Sequence, residues 1–203
     1  MMRVVTAGLK SRLATLAVSS MALTPALGFA DFCDILAGGG AQSCRANAES
    51  MGAKIFGSWL RTKPEPAQSG SGKKGTYSSG STPAYGTFGV PHQGKLTMTL
   101  ECFAGERNLS IQALPYMLGL TNGSNLEFKL KFKIDDRPAF TETWPLYWQR
   151  AELRAPQGSE LASRLQGARD LVITAPGIVG RKSEVGYVYK VDGFDQMNAG
   201  LCR

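Results

Sequence analysis

The sequence predicts a mainly β fold: an antiparallel β-sandwich-like α+β domain with two short helices, tied by disulfides. Three observations predict it. Period-two alternation recurs from Lys95 onward, most cleanly in "LEFKLKFKI". There Leu126, Phe128, Leu130, Phe132 and Ile134 face one way, and Glu127, Lys129, Lys131 and Lys133 the other. Turn clusters such as "GLTNGSN" and "DDRP" divide these runs at short intervals, the spacing of antiparallel sheets. Four cysteines, Cys33, Cys44, Cys102 and Cys202, all lie beyond the first thirty residues.

Residues 1–30 are expected to be a signal peptide. Arg3, Lys10 and Arg12 give a basic start, Leu13 to Leu23 an apolar run and Pro25 a break. Gly28 and Ala30 then occupy the −3 and −1 positions before Asp31. The run is too short to anchor the chain, so no membrane span is expected after cleavage and the protein is placed in the periplasm. The formal charge is +7, but three basic residues belong to the signal, which leaves +4. A charge of that size aids solubility and does not point to nucleic acid. In an oxidising compartment four cysteines read as two disulfides with three pairings open. The preferred pairing is Cys33–Cys44 with Cys102–Cys202, the second tying the first core strand to the chain's last residues. With no CxxC pair and His92 the lone histidine, neither a metal nor a cofactor is expected.

Residues 31–60 carry helical spacing around Ala46, Ala48, Met51 and Ile55, a short cysteine-containing helical segment that ends in "FGSWL". Residues 61–94 are dense in Gly, Ser, Pro and Thr with few large aliphatics, which predicts a linker or long loop. "GSGKKG" within it matches GxGxxG by spacing but lacks the strand and helix that a nucleotide site needs. Residues 95–203 form the β-rich domain. "KLTMTLECF" turns Leu96, Met98, Leu100 and Cys102 inward, and "RNLSIQAL" does so with Leu109, Ile111 and Ala113. "AFTETW" and "AELRAP" follow as strands. "GSELASRLQGA" then changes period, predicting a three-turn helix with Ser159 as its cap. "DLVITA" and "EVGYVYKV" return to strand patterning. "DGFDQMNAGL" predicts a closing helix with Phe194, Met197 and Leu201 on one face and Asp192 as cap.

No catalytic residue is assigned. GxSxG is absent, His92 falls in the linker, and the adjacent Asp135 and Asp136 suit a turn. Lys129, Lys131 and Lys133 read chiefly as the wet face of a strand. As a grip on an acidic partner they would need Arg107, Arg137 or Arg150 on the same face. Trp144, Tyr147 and Trp148 in "ETWPLYW" are candidates to anchor a partner or stack on sugars, against the alternative that one or two fill the core.

The combination "LTMTLEC…LSI", "LKFKIDDRPAFTETW", "LASRLQGARDLVITAP" and "YKVDGFDQMNAGLC" resembles the VasI/TagO family of type VI secretion-associated periplasmic proteins. The matching positions are Cys102, Lys133-Ile134-Asp135, Pro138-Ala139, Trp144, Gly193 and Cys202, with "FGSWL" similar to that family's GxW element. Lys133 stands where the family has Arg, and the family's CYD is absent at Cys44-Arg45-Ala46. The resemblance implies an exported, disulfide-tied accessory module. Together with the lack of a catalytic motif, the expected protein is non-enzymatic and its partner an envelope protein or cell-wall component, with an enzyme built on an unrecognised carboxylate or Ser/Lys site as a more distant reading. The alternative is an inhibitor or immunity protein that plugs a cell-wall hydrolase with the loop "PYMLGLTNGSN".

Overall fold

The computed structural model describes residues 30–89, 96–112, 127–175 and 184–202. Asp31 opens helix α1 (Phe32–Ala37) with a capping box: its carboxylate accepts from the amides of Cys33 and Asp34, and Asp34 bonds back to the Asp31 amide. Three glycines redirect the chain into α2 (Ala41–Ser50), and the Cys33–Cys44 disulfide staples the two helices with Cα atoms 5.6 Å apart. Gly52, at φ 68°, turns the chain out of the helix. Met51 therefore only closes α2, and Ile55 lies on a strand where helical spacing was expected.

Twelve strands follow among the described residues. They are β1 (Lys54–Phe56), β2 (Trp59–Arg61), β3 (Glu65–Gln68), β4 (Lys74–Pro83), β5 (Gly86–Phe88) and β6 (Thr97–Phe103). The rest are β7 (Glu106–Gln112), β8 (Glu127–Ile134), β9 (Phe140–Tyr147), β10 (Glu152–Arg154), β11 (Asp170–Ala175) and β12 (Val185–Lys190). Every pairing is antiparallel, in the order β1-β2-β4-β6-β7-β10-β9-β8-β11-β12-β5, with β3 also on β4. The path forms two packed layers. Sheet A runs from β1 to β10 and sheet B from β8 to β5, and β9 bridges them by pairing first with β8 and then with β10. The chain crosses between layers a second time at Ala84-Tyr85, where β4 leaves sheet A and β5 joins β12.

The alternating residues fill the space between the layers as expected. Met98, Leu100 and Cys102 face Leu109 and Ile111 on one side; Phe128, Leu130, Phe132 and Ile134 lie on the other, all buried. Leu126 and Ala113 fall outside the described residues.

The linker expected over 61–94 is a correction: it supplies β3, β4 and β5, and β4 lies between β2 and β6. Its composition is explained by what packs on it. Ser78, Gly80 and Thr82 pair with Cys102, Leu100 and Met98 and so face inward. A Cβ on Gly80 would stand 2.0 Å from the Met197 sulfur. Small residues on β4 are therefore the bed for the closing helix α4 (Phe194–Ala199), and the Ser78 hydroxyl donates to the Leu201 carbonyl.

Both downstream helices are shorter than their patterns suggest. Helix α3 (Leu161–Arg164) is one turn, because the chain tightens after it and reverses at Gly167, φ 67°. Leu161 and Leu165 are nonetheless fully buried. Ser159 does not cap it alone: its hydroxyl accepts from the amide of Leu161, the first helical residue, at 3.3 Å. The Glu142 carboxylate joins it from β9, accepting from the Glu160 amide at 2.9 Å, the Ser159 hydroxyl at 2.7 Å and the Trp144 indole at 2.8 Å. Nor does Asp192 cap α4, which begins at Gly193. Asp192 instead accepts from the Ser58 hydroxyl at 2.5 Å and, through its carbonyl, from the Ser58 amide at 3.1 Å.

That contact joins the two ends of the chain. Gly57 in the β1–β2 turn and Gly193 both have positive φ, and a Cβ on Gly193 would sit 2.1 Å from the Phe56 carbonyl oxygen. The closeness lets fully buried Trp59 meet Phe194 edge-on at 5.4 Å and donate to the Val191 carbonyl at 3.2 Å. Residues 31–60 are thus packed into the sandwich through "FGSW".

Gly193→Ala should destabilise by about 2–4 kcal/mol, because it adds a backbone clash to the left-handed penalty. Gly105→Ala, equally left-handed but with open space around its Cβ, should cost only about 1–2 kcal/mol; urea unfolding of both variants checks the difference. Cys102 and Cys202 are bridged with Cα atoms 5.5 Å apart across 100 residues, against 11 for Cys33–Cys44. Replacing the long-range pair by Ala should lose about 4–5 kcal/mol, and the short-range pair about 3 kcal/mol, a ranking that calorimetry would read directly.

Candidate functional site

The lysine row lies where period two puts it, on the outer face of sheet B. Lys129 and Lys131 are exposed opposite Thr143 and Thr141, while the Lys133 ammonium donates to the Arg137 carbonyl at 2.6 Å. The arginines a basic grip would need do not converge there. Arg137 donates to the carbonyls of Arg164 and Gln166 and holds the end of α3. Arg107 pairs with Cys102 on sheet A, and Arg150 ends the turn after β9.

The aromatic cluster divides. Trp144 is fully buried beside Phe132, 5.6 Å between ring centres, so it is a core residue and not a partner contact. Trp148 is half-buried against the same core. Tyr147 is 47% exposed at the end of β9, directly opposite Glu152. The plug loop of the inhibitor reading, residues 115–125, lies outside the described residues.

Tyr147 marks the rim of a site that the sequence does not announce. The outer face of sheet A carries a polar groove of about 280 Å³. Its floor comes from strands paired on both sides. Thr97, Thr99 and Glu101 alternate outward on β6, Ser110 and Gln112 on β7, and Tyr77, Ser79 and Ser81 on β4. Glu152 on β10 closes one wall, opposite Gln112.

Two bonded pairs define its electrostatics. The Tyr77 hydroxyl donates to Glu101 at 3.0 Å. Burial, and then the Glu101 carboxylate, push the Tyr77 phenol above its ordinary value, so it stays a neutral donor. Arg154 makes a two-pronged contact with Glu152, Nε to Oε1 at 3.0 Å and Nη2 to Oε2 at 3.2 Å. That hydrogen bond raises the guanidinium above its usual value. The same guanidinium stacks over the Tyr147 ring at 4.8 Å. Glu152 is only 7% exposed, unusual for a carboxylate on an outward face. Between the pairs sits Ser110, 2% exposed as a whole residue, which lines the groove.

The sequence held a signal for part of this. Thr97, Thr99 and Glu101 are the outward phase of the first core strand, and Glu152 and Arg154 share one face by period two. Tyr77 was hidden in a segment whose small residues read as linker. Among the described residues no cluster of His, Cys, Asp or Glu is arranged to hold a metal.

No family model and no curated protein matches the chain. A crystal structure of invasion associated protein B from Bartonella henselae is similar at 10% identity and a TM-score of 0.48, covering 73% of this chain and 93% of that one. A likeness of that strength leaves the function to be argued from the residues themselves.

Removing one partner of the nearly buried pair should expose its character. Arg154→Ala is expected to cost about 2 kcal/mol by leaving Glu152 unpaired, and the Arg154→Ala/Glu152→Gln double variant should recover part of that loss. A double-mutant cycle in urea checks it.

Proposed function

We propose that the protein is an exported accessory module of the cell envelope that works by binding and turns over no substrate, with the sheet A groove as its contact site. Two paired disulfides support an oxidising compartment, and the signal-peptide pattern of residues 1–30 makes that compartment the periplasm. The family resemblance supplies the expected setting, type VI secretion or a related envelope assembly.

One observation carries the reading: Ser110 and Glu152 are almost fully buried on a face that needs only to be soluble. Burying a carboxylate, even a paired one, costs free energy that packing there does not return. Such a cost is expected where a ligand completes the hydrogen bonds. By contrast, the Lys129/Lys131 face has the ordinary character of a solvated strand.

Co-sedimentation with isolated envelopes tests it. Thr99→Lys places a long side chain across the groove, and Lys131→Glu alters the other sheet. The mature protein and Lys131→Glu should pellet with envelopes, and Thr99→Lys should not. Equal pelleting of all three, or loss in Lys131→Glu alone, would overturn the assignment.

A further inference from the structure

Resting on that reading, we infer that the sheet A groove accepts the ring of a neutral saccharide, as one unit of an oligosaccharide chain. The groove displays hydrogen-bonding groups of both polarities within a small area: carboxylates at Glu101 and Glu152, hydroxyls at Tyr77, Thr99 and Ser110, and the Gln112 amide. A pyranose presents hydroxyls that each donate and accept, so vicinal hydroxyls can satisfy a carboxylate and a serine together. Ser110 lines the groove between Thr99 and Arg154, its register partners, where its hydroxyl can meet one of the sugar's.

Aromatic rings flank the groove. Tyr77 lies at the β4 side and Tyr147 at the far rim beyond β10, the latter held by Arg154 and half exposed. A ring with an apolar body and a polar tip suits the mixed faces of a sugar.

Other ligand classes fit less well. Two carboxylates against the single guanidinium of Arg154 leave the site net negative, which disfavours phosphate, nucleic acid and acidic glycans. The walls are too polar for a lipid chain. An extended peptide adds to a sheet through a free edge, but β4, β6, β7 and β10 are each paired on both sides.

Titration calorimetry with chitotetraose in its N-acetylated form, cellotetraose and maltotetraose tests the inference, with tetragalacturonate as the anionic probe. At least one neutral probe should bind, and tetragalacturonate should not. Ser110→Ala deletes only a hydroxyl that lines the groove; it should keep the urea midpoint yet weaken binding about tenfold, the worth of one good hydrogen bond. Tyr147→Ala should weaken it similarly. Binding of none of the three neutral probes, or wild-type affinity in Ser110→Ala, would overturn the saccharide assignment. If Thr99→Lys still abolishes envelope co-sedimentation in that case, the groove remains the contact site for a ligand of another class; if it does not, both readings fall.

Discussion

The structure depends on the close approach of two turns, Phe56-Gly57-Ser58 and Asp192-Gly193. Both glycines adopt conformations that a side chain would resist, and the backbones come within the reach of a missing Cβ. This is what allows Trp59 from the start of the fold and Phe194 from its end to share one buried contact. The Cys102–Cys202 bridge holds the same terminal segment from the other side, with Ser78 bonded to the Leu201 carbonyl between them. A short helix such as α4 has little stability alone. Here it is fixed by packing, by a covalent bond and by the loss of chain freedom in the unfolded state.

Seating α4 on one face of sheet A leaves the opposite face to solvent, and there the two layers differ in chemistry. Sheet B presents lysines and threonines, a surface that discourages edge and face association while contributing little else. Sheet A presents carboxylates and hydroxyls on strands enclosed by neighbours, with Glu152 drawn almost out of water by Arg154. Charged groups held at low exposure on a rigid floor are preorganised for recognition, because little ordering remains to be done when a ligand arrives. The groove is also near the long-range disulfide in the strand order: Glu101 precedes Cys102 on β6. Tail anchoring and site geometry therefore share one strand, facing opposite ways.

Much of the fold was legible from the sequence. Period two identified every strand from β6 to β12, because in a two-layer β fold each strand has one buried side and the alternation records it. The helices were less so: Gly167 stops α3 and Gly52 stops α2 before their apolar spacing runs out. Residues 61–94 failed for a definite reason. Strand β4 packs small residues against Met197, so the apolar content that marks a strand was supplied by a helix more than a hundred residues away. The most conspicuous patterns in the sequence, the lysine row and the aromatic cluster, lie away from the groove, and of them only Tyr147 reaches its rim, opposite Glu152.

The sequence by itself determined the β class, the inward phase of each core strand and the four cysteines available for pairing, since these follow from local periodicity and composition. Only the tertiary structure decided that Tyr77, Glu101, Ser110 and Glu152 meet, and that the glycine- and serine-rich segment is an interior strand. Both outcomes rest on contacts between residues far apart in the chain, and a local pattern cannot encode which distant surface a small or polar side chain will face.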